Sequence, residues 1–342
     1  MNKRLLGIID ATTFFEDLVE LTRNRSAASI PFGGRYRIID FVLSSMVNSG
    51  IRSVAIFSKY ENRSLEDHLG SGKNWDLNRK RDGLFFFPSP LVDKPSKVIG
   101  SFDNYGPNID FLKRSTQEYA IISKGNLIVN MDFEKLIKWH TDNGCEITVV
   151  TKNGHSLEIF IVKTKLLIDL IESRYKTGYL GLIDIVRDSN SPYRVCHYQY
   201  DEYAITVDSV RSYFSASMDL LNPKIWEKLF VKDRPILTKV KDEPPTYYGK
   251  NAEAYNSIVA NGANIKGTVE NCIIARGVKI AERAVVKNSI LMQRTQVGEN
   301  CVIDHAILDK NTRVESDVAI TGTEEAPYIL RKGLVKGVGV YS

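Results

Sequence analysis

From about residue 257 to the end of the chain, aliphatic residues recur at every sixth position. Ile274, Ile280 and Val286 form one such run, Val285, Leu291, Val297 and Ile303 a second, and Leu308, Val314 and Ile320 a third. Small or polar residues fall between them, among them Asn261, Gly262, Gly267, Gly277, Gly298 and Asn300. Neither a helix nor an alternating strand has a period of six. A β-helix does: each six-residue unit forms one face of a triangular coil and sends its aliphatic residue into a central column. A single coil cannot bury that residue alone, so coils must stack. The spacing predicts a left-handed parallel β-helix over 257–342. A set of short sandwich strands is the competing arrangement, and it gives no reason for a sustained sixfold period.

The preceding two thirds have another texture. Short apolar runs at Leu5–Ile9, Val54–Phe57, Tyr119–Ile122, Leu127–Val129, Ile147–Val150 and Ile159–Val162 read as buried strands. Amphipathic stretches at Ile39–Val47, Phe133–His140 and Lys165–Arg174 read as helices between them. Such alternation predicts an open α/β sheet of mostly parallel strands, with ligands beyond the strands' carboxyl ends. A helical stretch from Ser212 to Leu221 closes this domain, which spans 1–238. Residues 239–256, with the extended Pro244-Pro245 pair, read as a linker.

Composition narrows the class. Hydrophobic content of 43% and charged content of 25% are globular values. No stretch approaches the roughly 18 apolar residues of a membrane span. The start is basic and then apolar, but Asp10 interrupts the run too early for a secretory signal, so a buried first strand explains it better. Cys145, Cys196, Cys272 and Cys301 form no CxxC pair, which predicts neither a zinc site nor a disulfide framework and suits a reducing cytoplasm. The net charge of +5 comes without a basic tail or an aromatic-basic module, so small phosphorylated ligands are a more economical partner than nucleic acid.

An α/β domain followed by a hexapeptide β-helix suggests the sugar-phosphate nucleotidyltransferases, and particular residues narrow this further. The run from Ile30 through Phe32-Gly33-Gly34-Arg35-Tyr36-Arg37 to Ile51 closely resembles the glucose-1-phosphate adenylyltransferase family. His68 to Leu77 is similar to that family's next loop, and Tyr213 to Leu221 to its domain-closing helix. The resemblance covers nearly the whole chain. It implies a reaction in which glucose 1-phosphate attacks the α-phosphate of ATP, with magnesium held by carboxylates and phosphates held by backbone amides and cations.

The residues for that reaction are missing at the matching positions. The family's Gly-Gly-x-Gly-Thr-Arg-Leu loop corresponds to Thr12-Thr13-Phe14-Phe15-Glu16-Asp17-Leu18, which has no glycine and puts Asp17 in place of the arginine. A reversed charge there repels a triphosphate. The family's catalytic lysine falls on Ala27. Its two magnesium aspartates fall on Asn126 and Thr206, with Asp208 the nearest shifted carboxylate. Lys152 is the candidate substitute for a sugar-phosphate lysine. Losing one preorganised contact costs on the order of 10²–10³ in rate, and here several are absent together.

The resemblance is therefore to the family's non-catalytic glycogen-biosynthesis subunit. It implies no cofactor for this chain, Mg²⁺ in a catalytic glucose-1-phosphate adenylyltransferase partner, and a hetero-oligomer, a tetramer, formed with that partner. It also makes Arg35 and Arg52, and more weakly Arg37, candidates for binding a phosphorylated metabolite effector, because the guanidinium fork suits phosphate. An active enzyme with relocated ligands and a free-standing sensor of sugar phosphates remain open alternatives. His305 within the repeats invites comparison with hexapeptide acyltransferases, and Phe85-Phe86-Phe87-Pro88 reads either as buried strand or as partner-covered surface.

Overall fold

The structure, a computed structural model, describes residues 4–59, 62–79, 81–89 and 101–337. Seven strands form the central sheet: β1 (Leu5–Ala11), β2 (Ser53–Ser58), β3 (Gly83–Pro88), β4 (Tyr119–Lys124), β5 (Ile147–Lys152), β6 (His155–Lys163) and β7 (Val195–Gln199). Their order is β7-β5-β6-β4-β1-β2-β3. Only β6 runs antiparallel to its neighbours; the other pairings are parallel. β1 is buried along its whole length, because helices cover both sheet faces. Its alternate residues divide between two cores. Leu5 and Ile9 join helices α1 (Ile39–Asn48) and α2 (Phe133–Asp142), whereas Leu6 and Ile8 join α3 (Thr164–Thr177). The Phe85–Phe87 run is an edge strand packed within the domain: Phe87 stacks on Phe57 at 5.2 Å, and Phe85 meets Phe111 at 4.9 Å.

The β-helix comprises three parallel sheets, one per face. The buried column runs Ile274, Ile280, Val286, Leu291, Val297, Ile303, Leu308, Val314, Ile320. Its steps are six, six and then five residues, so a coil holds 17 residues, and it is Val286 rather than Val285 that points inward. Non-glycine residues with left-handed backbone stand at corresponding corners of successive coils: Asn271, Asn288 and His305 at one, Arg283, Asn300 and Asp317 at another. Asparagine tolerates this conformation best, and the Asn256, Asn271 and Asn288 side chains hydrogen-bond in a ladder that ends on Asp304. His305 is a corner residue whose Nδ1 lies 2.8 Å from Asp304 Oδ1, a structural role.

Two sequence expectations are corrected. Tyr247–Tyr248 and Glu253–Tyr255 already pair with the next coil, so the β-helix begins at Tyr247 and only 239–246 links the domains. Cys145 and Cys196 form a disulfide across 51 residues. The parallel pairing of β7 with β5 places Cys196 opposite Thr148, close to Cys145 at the head of β5, an adjacency that sequence spacing hides.

One face of the β-helix carries aliphatic residues on both sides. Val259, Ile274, Leu291, Leu308 and Leu330 point inward, and Ile258, Ile273, Ile290, Ile307 and Ile329 pack outward against Leu21, Ile30, Phe32, Tyr213 and Phe214 of the α/β domain. At roughly 25 cal/mol per Å² this seam is a large stabilising term. Gly34 lies within it: its φ is +75°, and a Cβ there would sit 3.1 Å from the Ile274 carbonyl oxygen. A fully buried ion pair, Arg25 with Asp309, crosses the same seam.

Removing one partner of such a pair strands a buried charge, at a cost of about 3–5 kcal/mol, whereas replacing both with apolar groups costs far less. Asp309→Ala is expected to destabilise the chain by that amount in urea unfolding, and the double variant Arg25→Met/Asp309→Leu to recover most of it. The disulfide closes a loop whose constraint contributes up to about 4 kcal/mol. Dithiothreitol is expected to lower the Tm by several degrees, and Cys196→Ser to show no further response to the reductant.

Candidate functional site

The crevice at the carboxyl ends of β1, β2 and β4 is where an open α/β sheet binds its ligand. Here the chain's own polar groups bond to one another along one side of it. Asp10 Oδ1 accepts from the Thr12 amide at 2.9 Å and from the Thr12 hydroxyl at 2.6 Å. Asn104 donates to that hydroxyl at 2.9 Å and accepts from Ser89 at 2.7 Å. The Thr12 N–H is thus committed and unavailable to a phosphate. Asp17 is exposed in a one-turn 3₁₀ helix, Glu16–Leu18. Ala27 is buried among Leu18, Leu21, Ile30 and Ile128, so apolar packing occupies the position of the lysine. The adjoining Ala28 lies so close to Gly125 that a Cβ on the glycine would be 2.9 Å from the alanine's.

The two magnesium positions do meet in space. Leu127–Val129 pairs antiparallel with Ala204–Thr206, with Thr206 opposite Leu127, so Asn126 and Thr206 are neighbours. The donor set does not suit a hard cation. Asn126 Nδ2 donates to the Val207 carbonyl at 2.7 Å, a bond no carboxylate can make. Asp208 is engaged elsewhere: its Oδ1 accepts from Ser212 at the start of the domain's closing helix, α4 (Val210–Asp219). Among the described residues, no group of three His, Cys, Asp or Glu could hold a metal ion. Lys124 is half of a buried pair with Glu158 at 2.6 Å, and Lys152 donates to the Glu202 carbonyl.

Positive charge collects at the domain seam instead. A cavity of about 280 Å³ is lined by Arg35, Tyr36, Arg37, Asp67, His68, Lys239, Lys241, Arg276, Gln293, Arg294, Lys310 and Asn311. Seven of these twelve are Arg or Lys, against one carboxylate. Arg37 is held in place: its guanidinium donates to the Ser64 carbonyl at 2.6 Å and hydroxyl at 2.7 Å, and its amide to Asp40. Asp40, fully buried, also pairs with His68 at 2.6 Å. Burial pulls the Arg37 pKa down to about 10, partly offset by Asp40. Burial, with repulsion from Arg37 and Arg25, brings the Lys310 ammonium down to about 7. Burial also lowers Lys241, with repulsion from Arg276 and Lys239, and Arg276, with repulsion from Arg35. Cations in such excess over carboxylates make this cavity a candidate anion site.

Arg35 and Arg37 therefore share one cavity, as the candidates for an effector site. Arg52 lies apart, bonded to Asp76 at 3.0 Å. Sequence reasoning missed Lys239, Lys241, Arg276, Arg294 and Lys310. A signal was present: with a 17-residue coil, Arg276, Gln293 and Lys310 stack at one corner, and Gly277, Arg294 and Asn311 stack beside them.

Two family models match the chain: "Nucleotidyl transferase" over residues 16–158 and "GlmU-like, C-terminal hexapeptide" over 244–327. Similar proteins include "Glycogen biosynthesis protein GlgD" of Bacillus subtilis (strain 168), 49% identical over 98% of both chains. The protein of that name from Geobacillus stearothermophilus is 53% identical, again over 98% of both. "Glucose-1-phosphate adenylyltransferase" of Clostridium novyi (strain NT) is 28% identical over 84% of this chain and 85% of its own.

An anion in the seam cavity favours the protonated Lys310 ammonium, so sulfate, a dianion throughout the neutral range, is expected to raise the Tm by several degrees at pH 6.5. Its affinity should fall as pH rises above about 7, roughly tenfold for each unit by which the anion raises the Lys310 pKa. Without an anion the sign reverses: the folded-state pKa lies below the unfolded 10.5, so stability contributed by this group rises between about pH 7 and 10.5. Titration calorimetry and thermal scans across pH test both statements.

Proposed function

The chain belongs to the GlgD family of glycogen-biosynthesis proteins, relatives of glucose-1-phosphate adenylyltransferase, and from that premise we propose that it is a non-catalytic regulatory subunit. In this reading it assembles in the cytoplasm with a catalytic glucose-1-phosphate adenylyltransferase subunit as a hetero-oligomer, a tetramer. The observation that carries the proposal is Asn126: its amide is hydrogen-bonded to backbone where the related reaction needs a metal-binding carboxylate. The neighbouring Thr206, the buried Ala27 and the committed Thr12 amide support it. Each removes a different requirement of phosphoryl transfer, so repairing any one leaves the others unmet.

The cationic seam cavity supplies the regulatory half. A phosphorylated metabolite bound there would touch both domains at once, through Arg35 and Arg37 on one side and Arg276, Arg294 and Lys310 on the other. Ligand binding would thereby alter how the two domains sit, and a partner that distinguishes those arrangements would respond. The coupling requires that the partner's active and inactive states bind this chain with different affinities, and it acts reciprocally on effector affinity.

ADP-glucose synthesis measured for this chain alone, for a catalytic subunit alone and for the two co-expressed is the direct test. The isolated chain is expected to be silent, and co-expression to change the catalytic subunit's kcat or effector response severalfold. Arg37→Ala/Arg294→Ala should abolish the change in effector response while leaving the complex intact on size-exclusion chromatography. Turnover by the purified chain alone would replace this reading with that of an enzyme with relocated ligands. Effector binding without any influence on a catalytic subunit would leave a free-standing sensor.

A further inference from the structure

The crevice beside β1 is closed to a triphosphate, yet it is not filled. A cavity of about 360 Å³ opens there, lined among others by Ala11, Phe14, Arg23, Ala27, Lys59 and Asn62. Its polar groups are oddly matched. Asn62 is only 2% exposed, and its Nδ2 has no hydrogen-bond partner. The residue sits at the N-terminus of the helix Arg63–Leu69, where its backbone carbonyl serves the helix but its side chain caps nothing. Buried amide donors left unpaired are rare and unfavourable, and one that faces a cavity calls for an acceptor inside it.

Lys59 adds charge from the end of β2. Its side chain is largely exposed; its ammonium lies 4.8 Å from the Phe14 ring centroid, and partial burial lowers its pKa. Arg23, an exposed residue, also lines the cavity and pairs with Glu20 at 3.3 Å. Arg25, also in the wall, is neutralised by Asp309. The cavity thus offers an unpaired amide donor, a cation with no counter-ion among the described residues, and the face of the Phe14 ring. Its volume is at the small end for ligand sites.

We propose that this cavity is a second anion site, distinct from the seam cavity, which takes a compact singly phosphorylated molecule through Asn62, Lys59 and Arg23. A nucleoside triphosphate does not suit it, since one free ammonium and one amide stand where a run of backbone amides would be needed.

Titration calorimetry of the full chain with inorganic phosphate tests the assignment. Two classes of site are expected. Arg35→Ala/Arg294→Ala, both exposed residues of the seam cavity, should remove one class. In that background Lys59→Ala or Asn62→Asp should weaken the remaining class at least about tenfold. Asn62→Asp keeps the side chain's shape and suits a helix N-terminus, so it replaces the donor with a repelling carboxylate and spares the fold; an unchanged Tm checks this. Remaining binding that ignores both substitutions overturns the proposal. So does magnesium-ATP displacing phosphate with equal or higher affinity, which would make the cavity a surviving nucleotide site.

Discussion

The outward ladder of Ile258, Ile273, Ile290, Ile307 and Ile329 forces the β-helix onto the α/β domain, and most of the molecule's other features follow from that contact. A β-helix face normally sends one residue inward and the next toward water. This face has two apolar layers, so it must be covered, and the covering surface includes Phe32 and Tyr213, tied together by the Tyr213 hydroxyl bonding the Pro31 carbonyl at 2.8 Å. The Phe32-Gly33-Gly34 turn fits only because Gly34 has no Cβ to meet the Ile274 backbone. The hairpin that carries Arg35 and Arg37 is thereby aimed at the β-helix corners.

Electrostatics at the seam then runs against stability. The domains could have met through hydrophobic packing alone, but seven cations converge on one cavity, and burial lowers the pKa of Arg37, Lys241, Arg276 and Lys310. Such a cluster raises the energy of the empty state relative to an anion-bound one. The Arg25–Asp309 pair next to it is compensated and buried. Asp309 thus neutralises Arg25, whereas at the neighbouring Lys310 burial and the two arginines outweigh its attraction. The contrast separates a compensated ion pair from a cluster in which cations are in excess.

The emptied crevice follows a different logic. Where backbone amides and glycines would leave room for phosphates, Asp10, Thr12, Asn104 and Ser89 bond to one another, and Ala27 and Ala28 pack into the core. The local bonding is self-consistent: Asp10 and Thr12 are partnered internally, and so is Asn126. Asn126 shows this most directly, as its amide makes a backbone bond that an aspartate would turn into repulsion.

Much of this was legible in the residues alone. The sixfold aliphatic period specifies stacked coils because no other backbone geometry repeats at that interval. The apolar runs specify a two-sided buried sheet, and Asp17, Ala27, Asn126 and Thr206 differ in residue type from what the related reaction needs at those positions. What the sequence could not express was distance across the fold. The Cys145–Cys196 bond depends on β7 lying beside β5, and the first coil at Tyr247 becomes visible only through its pairing with Asn264. Arg52 and Arg35 look alike in sequence, yet only Arg35 reaches the seam. The convergence of Lys239, Arg276, Arg294 and Lys310 on Arg37 arises from packing one β-helix face against one hairpin. Residue identity determined which chemistry was possible, and tertiary packing decided which charges would have to share a cavity.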